Sequence, residues 1–273
     1  MIGIFDSGLG GLTILKAIVK KLPGYDYVYL GDSARAPYGN KSREVIYGYT
    51  KQAVDFLFSQ GCELIVIACN TASAEALRRI QREHLPKKYP RQRVLGVIRP
   101  LVEEVARNKN IKKAGMIGTR ATVESNVYKI ELRALNPNLE VVQQAAPLLV
   151  PLIEEGWATK PETKMILKKY LRPLKAKQIN TLIPACTHYP FLLKDMRRIM
   201  TKRCRVLDPG EVVASSLTGY LARHAELNIV SSASPQTVFY TTDDVDKFKT
   251  LGEKFLGAPM KSVQKITLYN NGL

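Results

Sequence analysis

The chain has 273 residues, of which 45% are hydrophobic and 24% charged, so its composition predicts a folded protein with two modest domains or one large one. No apolar run approaches the roughly 18 residues that a membrane-spanning helix needs. The N-terminal "MIGIFDSGLGG" lacks the basic region and long apolar stretch of a signal peptide. We therefore expect a cytoplasmic protein with no membrane partner.

The net charge of +17 comes from 41 basic and 24 acidic residues. Much of the excess lies in residues 164–205, where twelve Lys and Arg face one acid. Within it, "MILKKYLRPLKAK" places Leu167, Leu171 and Leu174 on one helical face and its lysines elsewhere, which is typical of a packed helix with a solvated basic face. No zinc-finger, RNP or basic-zipper pattern occurs, so specific nucleic-acid binding is not expected.

Strand-like apolar runs alternate with amphipathic helical stretches along the chain. In order they are "MIGIF" with "LTILKAIVKKL", "YVYLG" with "REVIYGYTKQAVDFLFSQG", "LIVIAC" with "SAEALRRIQREHL", "VLGVI" with "PLVEEVARN", "AGMIG" with "VESNVYKIELRAL", "LEVVQQ" with "PLLVPLIEEG", "NTLIPAC" with "PFLLKDMRRIM", and "CRVLD" with "VVASSLTGYLARH". This alternation predicts an α/β fold with parallel sheets and helices on both faces.

Two pairs of segments suggest an internal repeat. "GIFDSGLGGLTILKAI" resembles "GMIGTRATVESNVYKI", and "ELIVIACNTASAEALRRI" resembles "NTLIPACTHYPFLLKDMRRI". The order and approximate spacing are kept, so we infer two similar α/β lobes. Ligands of open parallel sheets bind beyond the carboxyl ends of the strands, where Cys69 and Cys186 are expected. Two lobes facing each other would bring both thiols to one cleft.

The four cysteines do not form a pattern typical of disulfides or metal sites. No Cys-x-x-Cys pair occurs, and Cys186 and His188 have no second ligand pair at metal-like spacing. A cytoplasmic protein of this size does not need disulfides. We predict no metal, and we interpret Cys62 and Cys204 as small buried apolar residues.

Two thiols across one cleft suit a reaction that needs a base on one face of a carbon atom and an acid on the other. Removing a proton from one face and returning one to the opposite face inverts a stereocentre. A single cysteine would instead suggest a nucleophile. Each thiol also has a candidate helper: His188 lies two residues from Cys186, and Asp6 follows an earlier strand of the lobe that carries Cys69.

Other polar motifs stand at predicted strand ends. Asp6 and Ser7 lie in the glycine turn "FDSGLGG", where backbone amides favour a carboxylate, although an ordinary capped turn is the alternative. The loop "GDSARAPYGNKS" and the segment "GTRAT" offer further donors, with a plain turn and helix capping as their alternatives. The candidates there, and beside the two thiols, are Pro37, Tyr38, Gly39, Asn70, Thr71, Thr119, Thr122 and Thr187.

Together, "FDSGLGGLT", "GDSARAPYG", "ACNTAS" and "ACTHYP" resemble the motifs of the glutamate racemases, within the cofactor-independent aspartate/glutamate racemase superfamily. The resemblance implies two flavodoxin-like domains related by pseudo-twofold symmetry, with the active site in the cleft between them. It places residues 1–97 and 207–273 in the first domain, with Asp6 and Cys69, and residues 98–206 in the second, with Cys186.

The resemblance also implies racemisation of glutamate without pyridoxal phosphate, metal or other cofactor. Cys69 would take the α-proton from D-glutamate while Cys186 protonates the other face, with the roles reversed for L-glutamate. Asp6 would assist Cys69 and His188 would assist Cys186, with Glu154 supporting the site without touching substrate. A homodimer that supplies D-glutamate for peptidoglycan is expected. Substrate contacts are expected from Ser7, Pro37, Tyr38, Gly39, Asn70, Thr71, Thr119, Thr122 and Thr187.

Some positions depart from the pattern of that family. Pro184 and Ala185 precede the second thiol where a glycine is expected, Ala121 stands where glycine is common, and Arg99 occurs in "GVIRP". None of these removes a reacting group. The alternatives are an aspartate racemase, a single-thiol decarboxylase or isomerase of the superfamily, and a non-enzymatic basic α/β binding protein with structural cysteines.

Overall fold

The computed structural model of the protein describes residues 1–268 as alternating strands and helices. The strands are β1 (Ile2–Asp6), β2 (Tyr27–Gly31), β3 (Leu64–Ile67), β4 (Arg93–Gly96), β5 (Lys113–Gly118), β6 (Glu140–Ala145), β7 (Thr181–Ala185), β8 (Arg205–Val206), β9 (Thr237–Thr241) and β10 (Val263–Lys265). The helices are α1 (Leu12–Lys21), α2 (Arg43–Ser59), α3 (Asn70–Glu75), α4 (Leu77–Arg79), α5 (Leu85–Lys88), α6 (Ile98–Arg107), α7 (Arg120–Glu124), α8 (Val127–Leu135), α9 (Leu149–Glu154), α10 (Pro161–Ala176), α11 (Leu193–Met200), α12 (Pro209–Arg223) and α13 (Val245–Leu256). No helix in this part of the chain has the length and apolar character to cross a membrane.

The strands form two parallel sheets. One has the order β10-β9-β2-β1-β3-β4 and the other β6-β5-β7-β8. Strands β1, β2, β3 and β7 are buried along their whole length, which explains why they read as continuous apolar runs rather than as alternating patterns. The α/β fold with parallel sheets is therefore confirmed.

Both sheets place their first strand between the second and the third, as flavodoxin-like sheets do. In such an arrangement the chain leaves neighbouring strands toward opposite faces, which opens a crevice at their carboxyl ends. Cys69 follows β3 and Cys186 follows β7, so both thiols stand at the corresponding crevice of their own sheet.

The two lobes pack against each other. One continuous apolar cluster joins Leu12 and Ile14 of α1 to Leu167 of α10 and to Cys186. The predicted face of α10 is confirmed, because Leu167 and its partners Leu171 and Leu174 are fully buried.

The prediction of one helix in "VESNVYKIELRAL" is wrong. Asn126 takes a left-handed conformation with φ of 54°, which ends α7 and starts α8 in a new direction. Asparagine tolerates this conformation better than most residues because its short polar side chain bonds locally. The break leaves Thr119 and Tyr128 on separate helices.

Candidate active site

A cavity of about 190 Å³ lies where the carboxyl ends of the two sheets face each other. Larger depressions occur elsewhere, including one of about 680 Å³ beside α1, but it contains neither Cys69 nor Cys186. The smaller cavity is the one into which the predicted residues converge. Those that line it are Ser7, Pro37, Tyr38, Gly39, Cys69, Asn70, Thr71, Thr119, Glu154, Cys186, Thr187 and His188.

Cys69 is held as the N-terminal cap of α3. The backbone N–H of Ala72 donates to its Sγ at 3.5 Å, and the Ser7 hydroxyl lies 3.4 Å from the same atom. The side chain is nearly buried. Burial, reinforced by the charge of Asp6, raises the pKa of the Cys69 thiol to about 12, so its protonated form is favoured.

Asp6 is fully buried behind the cavity wall rather than in it. Its Oδ2 accepts from the Gly8 N–H at 3.0 Å, as a turn residue does, and its Oδ1 accepts from the Thr187 hydroxyl of the other lobe at 3.3 Å. Burial raises the pKa of Asp6, and the charge of His188 and these donors oppose that rise. A carboxyl with a raised pKa can hold or release a proton beside a thiol.

Cys186, His188 and Glu154 form a chain of contacts. His188 Nδ1 lies 3.8 Å from Cys186 Sγ, and its Nε2 lies 2.9 Å from Glu154 Oε1. Burial alone would lower the pKa of His188, but the bonds to Cys186 and Glu154 outweigh it and raise the pKa to about 10. His188 is therefore an imidazolium at neutral pH, and its positive charge lies beside the Cys186 sulfur.

Three threonine hydroxyls meet across the lobes. Thr71 lies 2.9 Å from Thr119 and 3.2 Å from Thr122, and Thr119 lies 2.9 Å from Thr122. Thr119 also caps α7, which is the alternative role expected from the sequence. It therefore both caps the helix and lines the cavity. Thr122 is fully buried behind the other two and does not line the cavity.

Tyr38 lies in the cavity wall with its hydroxyl bonded to buried Asp32. Asp32 also pairs with Arg35 at 2.7 Å and accepts from Thr242 at 2.9 Å. The loop that carries Pro37 and Tyr38 is thus anchored from beneath by one carboxylate.

Cys62 and Cys204 are buried away from the cavity, and burial raises the pKa of these thiols to about 12 and about 11. The Cys62 sulfur packs near the backbone of Gly3. Both behave as small apolar residues. Within residues 1–268 no group of three or more His, Cys, Asp or Glu side chains is placed to hold a metal ion.

Sequence reasoning missed contacts made only when the lobes meet. Thr13 of α1 donates to the Thr187 carbonyl at 2.9 Å, and Gly10 approaches so closely that a Cβ there would lie 2.3 Å from Thr187 Oγ1. Tyr128 donates to Asn70 Oδ1 at 2.6 Å. In the sequence, Thr13 belongs to a helix, Gly10 to a glycine loop and Tyr128 to an apolar helix face. None of these patterns indicates a functional site.

Arg99, which departs from the family pattern, takes part in an ion-pair network at the boundary between the lobes. Arg99 bonds to Glu103 at 2.6 Å and to Glu131 at 3.3 Å, and Glu131 pairs as well with Arg78 of the first lobe. Glu131 is almost completely buried, so the two arginines supply the opposite charge that a buried carboxylate requires.

Comparison with known proteins agrees with this geometry. Residues 2–217 match the sequence profile of the family described as Asp/Glu/Hydantoin racemase. The chain belongs to this family. It is 39% identical over 267 residues to a glutamate racemase of Neisseria meningitidis serogroup C, covering 98% of this chain and 96% of that one. The resemblance in the four motifs is thereby confirmed.

Solved structures of this family share the whole fold. A glutamate racemase of Francisella tularensis in complex with D-glutamate superposes with a TM-score of 0.88 at 37% identity, covering 98% of this chain and 97% of that one. A glutamate racemase isoform of Bacillus anthracis gives 0.91 at 32% identity, with the same coverage. The racemase family is one of isomerases, and this chain carries its fold throughout.

Proposed function

We propose that the protein is a glutamate racemase that interconverts L- and D-glutamate by proton transfer between two thiols. The observation that carries the proposal is the placement of Cys69 and Cys186 at equivalent strand ends of two facing sheets, both lining one small cavity. Relatives with the same fold over nearly the whole chain are named glutamate racemases.

The two thiols have different charged neighbours. We assign Cys186, which lies beside the His188 imidazolium, as the base for L-glutamate, and Cys69, whose raised pKa of about 12 favours the protonated form, as the acid. Cys186 removes the α-proton of L-glutamate, the electron pair of the C–H bond remains on the α-carbon, and Cys69 delivers its proton to the other face. After D-glutamate has formed, Cys69 is a thiolate and Cys186 is a thiol. This protonation form of the enzyme catalyses the reverse reaction.

The helpers reset these forms. For the next L-glutamate, Cys69 must regain a proton and Cys186 must lose one. Asp6, as a protonated carboxyl with a raised pKa, donates to Cys69 and is reprotonated by solvent. Cys186 releases its proton to solvent, and the positive charge of His188 stabilises the negative charge that remains on the sulfur. Glu154 accepts from His188 and keeps the ring oriented. Because Glu154 also lines the cavity and is about 39% exposed, it stands at the opening rather than behind the site.

Neutral donors can bind the two carboxylates of glutamate from both lobes. Ser7, Asn70 and Thr71 lie on one side of the cavity, and Thr119 and Thr187 on the other. Hydroxyl, amide and backbone N–H groups hold a carboxylate without an arginine. A cavity of about 190 Å³ is below the range of sites that take drug-sized ligands, which favours a small amino acid.

We extend the proposal to the domains, the assembly and the biological role. Residues 1–97 and 207–273 would form the first domain and residues 98–206 the second, supported by the two sheets that these ranges supply. Residues 269–273 of this division lie outside the described residues. We expect a homodimer in the bacterial cytoplasm that makes D-glutamate for peptidoglycan, with no pyridoxal phosphate or metal. Activity that survives a chelator and a carbonyl-trapping reagent but fails on thiol alkylation would support this chemistry.

The experiment that tests the proposal follows circular dichroism while pure protein is incubated with L-glutamate and then with D-glutamate. Both signals should decay to zero, because enantiomers have equal free energies. Aspartate in the same assay tests the alternative that the protein is an aspartate racemase. One methylene changes binding by about 1–3 kcal/mol, so we expect kcat/KM for glutamate to exceed that for aspartate by roughly tenfold or more. No decay with glutamate, or equal or faster turnover of aspartate, contradicts the proposal.

A further inference from the structure

Tyr128 joins the two lobes at the edge of the cavity. It lies on α8 with no exposed surface, in an apolar cluster with Met116 of β5 and Ile183 of β7. Its hydroxyl donates to Asn70 Oδ1 at 2.6 Å, and both groups are buried. Asn70 begins α3 directly after Cys69, so the contact reaches from the second lobe to the residue beside a reacting thiol in the first.

The contact determines which end of the Asn70 amide can meet a ligand. Asn70 lines the cavity and is only 3% exposed. An asparagine amide has an accepting oxygen and a donating nitrogen, which exchange places when the group turns. Because Oδ1 is occupied by the Tyr128 hydroxyl, Nδ2 is the end left to donate. A carboxylate attracts that N–H₂ group and would be repelled by the amide oxygen.

We propose that Tyr128 is a positioning residue that locks the Asn70 amide with its N–H₂ group toward a substrate carboxylate. The inference rests on the proposed racemase function and adds a residue that does not itself touch substrate.

Tyr128 remains a donor over the working pH range. Burial raises the pKa of its hydroxyl, and the charge of Cys186 raises it further. The hydroxyl therefore keeps its proton while the thiols exchange theirs.

The test is Tyr128→Phe, which keeps the ring and removes the hydroxyl. Without the hydroxyl the Asn70 oxygen loses its hydrogen-bond donor and the amide is free to turn, so we expect kcat/KM to fall about tenfold. The change should appear mainly as a higher KM, because the carboxylate is held in the ground state and the transition state alike. The fall must be equal for both enantiomers, since their equilibrium constant is unity.

Tyr27→Phe is the matched control. Tyr27 is also almost fully buried, and its hydroxyl donates to the Leu22 carbonyl at the same 2.6 Å, outside the cavity lining. Both variants should lose thermal stability. Only Tyr128→Phe should raise KM, whereas a purely structural role of Tyr128 would leave kcat/KM of the folded enzyme at the wild-type value.

A double-mutant cycle separates action through Asn70 from any other route. In an Asn70→Ala background, Tyr128→Phe should cause little further loss, because its partner is gone. Asn70→Asp keeps an acceptor for Tyr128 but removes the N–H₂ donors, so it should raise KM at least as much as Tyr128→Phe does. This variant tests the proposal even if Tyr128→Phe does not fold.

The outcomes separate the two proposals. An unchanged KM in Tyr128→Phe or in Asn70→Asp, or equal losses from Tyr128→Phe in both backgrounds, overturns the positioning role while the racemase function stands. Wild-type protein that does not racemise glutamate overturns the proposed function, and the positioning role with it.

Discussion

Cys69 and Cys186 stand in different electrostatic surroundings, although both end a strand of a parallel sheet. Cys69 has the buried carboxyl of Asp6 as its neighbour, whereas Cys186 has the imidazolium of His188. The negative neighbour favours the protonated form of Cys69, whereas the Cys186 sulfur faces a positive charge. The two sides of the cavity therefore differ in charge.

Asp6→Asn and His188→Asn should each lower kcat, by about 10²- to 10⁴-fold, the range typical of a positioned acid or base. Individual kcat and KM values should change differently for the two enantiomers, because each helper serves a different thiol. The measurement is initial rates with L- and D-glutamate. Unchanged kcat with a raised KM in both directions would instead make these residues substrate clamps.

The raised pKa of His188 has a consequence for stability. Its ordinary pKa of 6.5 rises to about 10 in the folded protein, so the native state holds a proton that the unfolded state releases between these values. The contribution of His188 is fully present below pH 6.5 and is lost as pH rises toward 10. The groups that face it are Cys186, Glu154 and Asp6.

We therefore expect the free energy of unfolding of the wild type to fall between pH 6.5 and about 10, and His188→Asn to flatten this slope. Denaturant titrations of both proteins at several pH values measure the free energy of unfolding and hence this slope. A slope that is the same in both proteins contradicts the assigned protonation of His188.

At the scale of elements, the glycine turn before α1 holds the loop after β7. The Gly10 Cα lies against Thr187 and His188, and Thr13 donates to the Thr187 carbonyl. Gly10 has no space for a side chain, since a Cβ would approach His188 Nδ1 to 2.6 Å. Close approach, rather than a special backbone angle, explains this glycine.

Gly10→Ala should shift the loop that carries Cys186 and reduce kcat at least tenfold, because small misplacements of reacting groups cost up to about 10²-fold. Gly24→Ala is the matched control, since a Cβ at Gly24 meets only Ser231 at an ordinary 3.6 Å. Rates and melting temperatures of both variants provide the measurement. Wild-type kcat in folded Gly10→Ala would show that the contact does not position the thiol.

Most elements could be predicted from the sequence because buried parallel strands give unbroken apolar runs. The run "YVYLG" matches β2 over its full length. Strands β9 and β10 were not predicted, since both are partly exposed, β10 at the edge of the sheet and β9 next to it. The helix break at Asn126 could not be predicted either, because the helical pattern of the sequence continues across this residue.

The convergence of Cys69, Cys186 and His188 could be predicted because strand ends of a parallel sheet share one edge. The structure places Cys69, Cys186 and His188 in one cavity. Contacts between the lobes could not be predicted, because they depend on how the two sheets dock. The bond from Tyr128 to Asn70 and that from Thr187 to Asp6 are of this kind.

At the scale of the whole molecule, donors from both lobes line one cavity, so a substrate bound there should stabilise the folded protein. A ligand at 100 times its Kd adds about 2.7 kcal/mol, which raises the melting temperature by several degrees in a chain of this size. D-Glutamate should give this shift in a thermal melt. Leucine, which lacks the distal carboxylate, should not, and equal shifts from both would contradict binding by two carboxylate sites.

The central claim is that racemisation needs both thiols, one for each face of the α-carbon. The most direct measurement is circular dichroism of L- and D-glutamate incubated with Cys69→Ser, Cys186→Ser and the control Cys204→Ser, whose sulfur lies outside the cavity. Because a serine hydroxyl is a far weaker base than a thiolate, racemisation should be lost in the first two variants and kept in the control. Racemisation at the wild-type rate by either Cys69→Ser or Cys186→Ser would contradict the two-thiol mechanism.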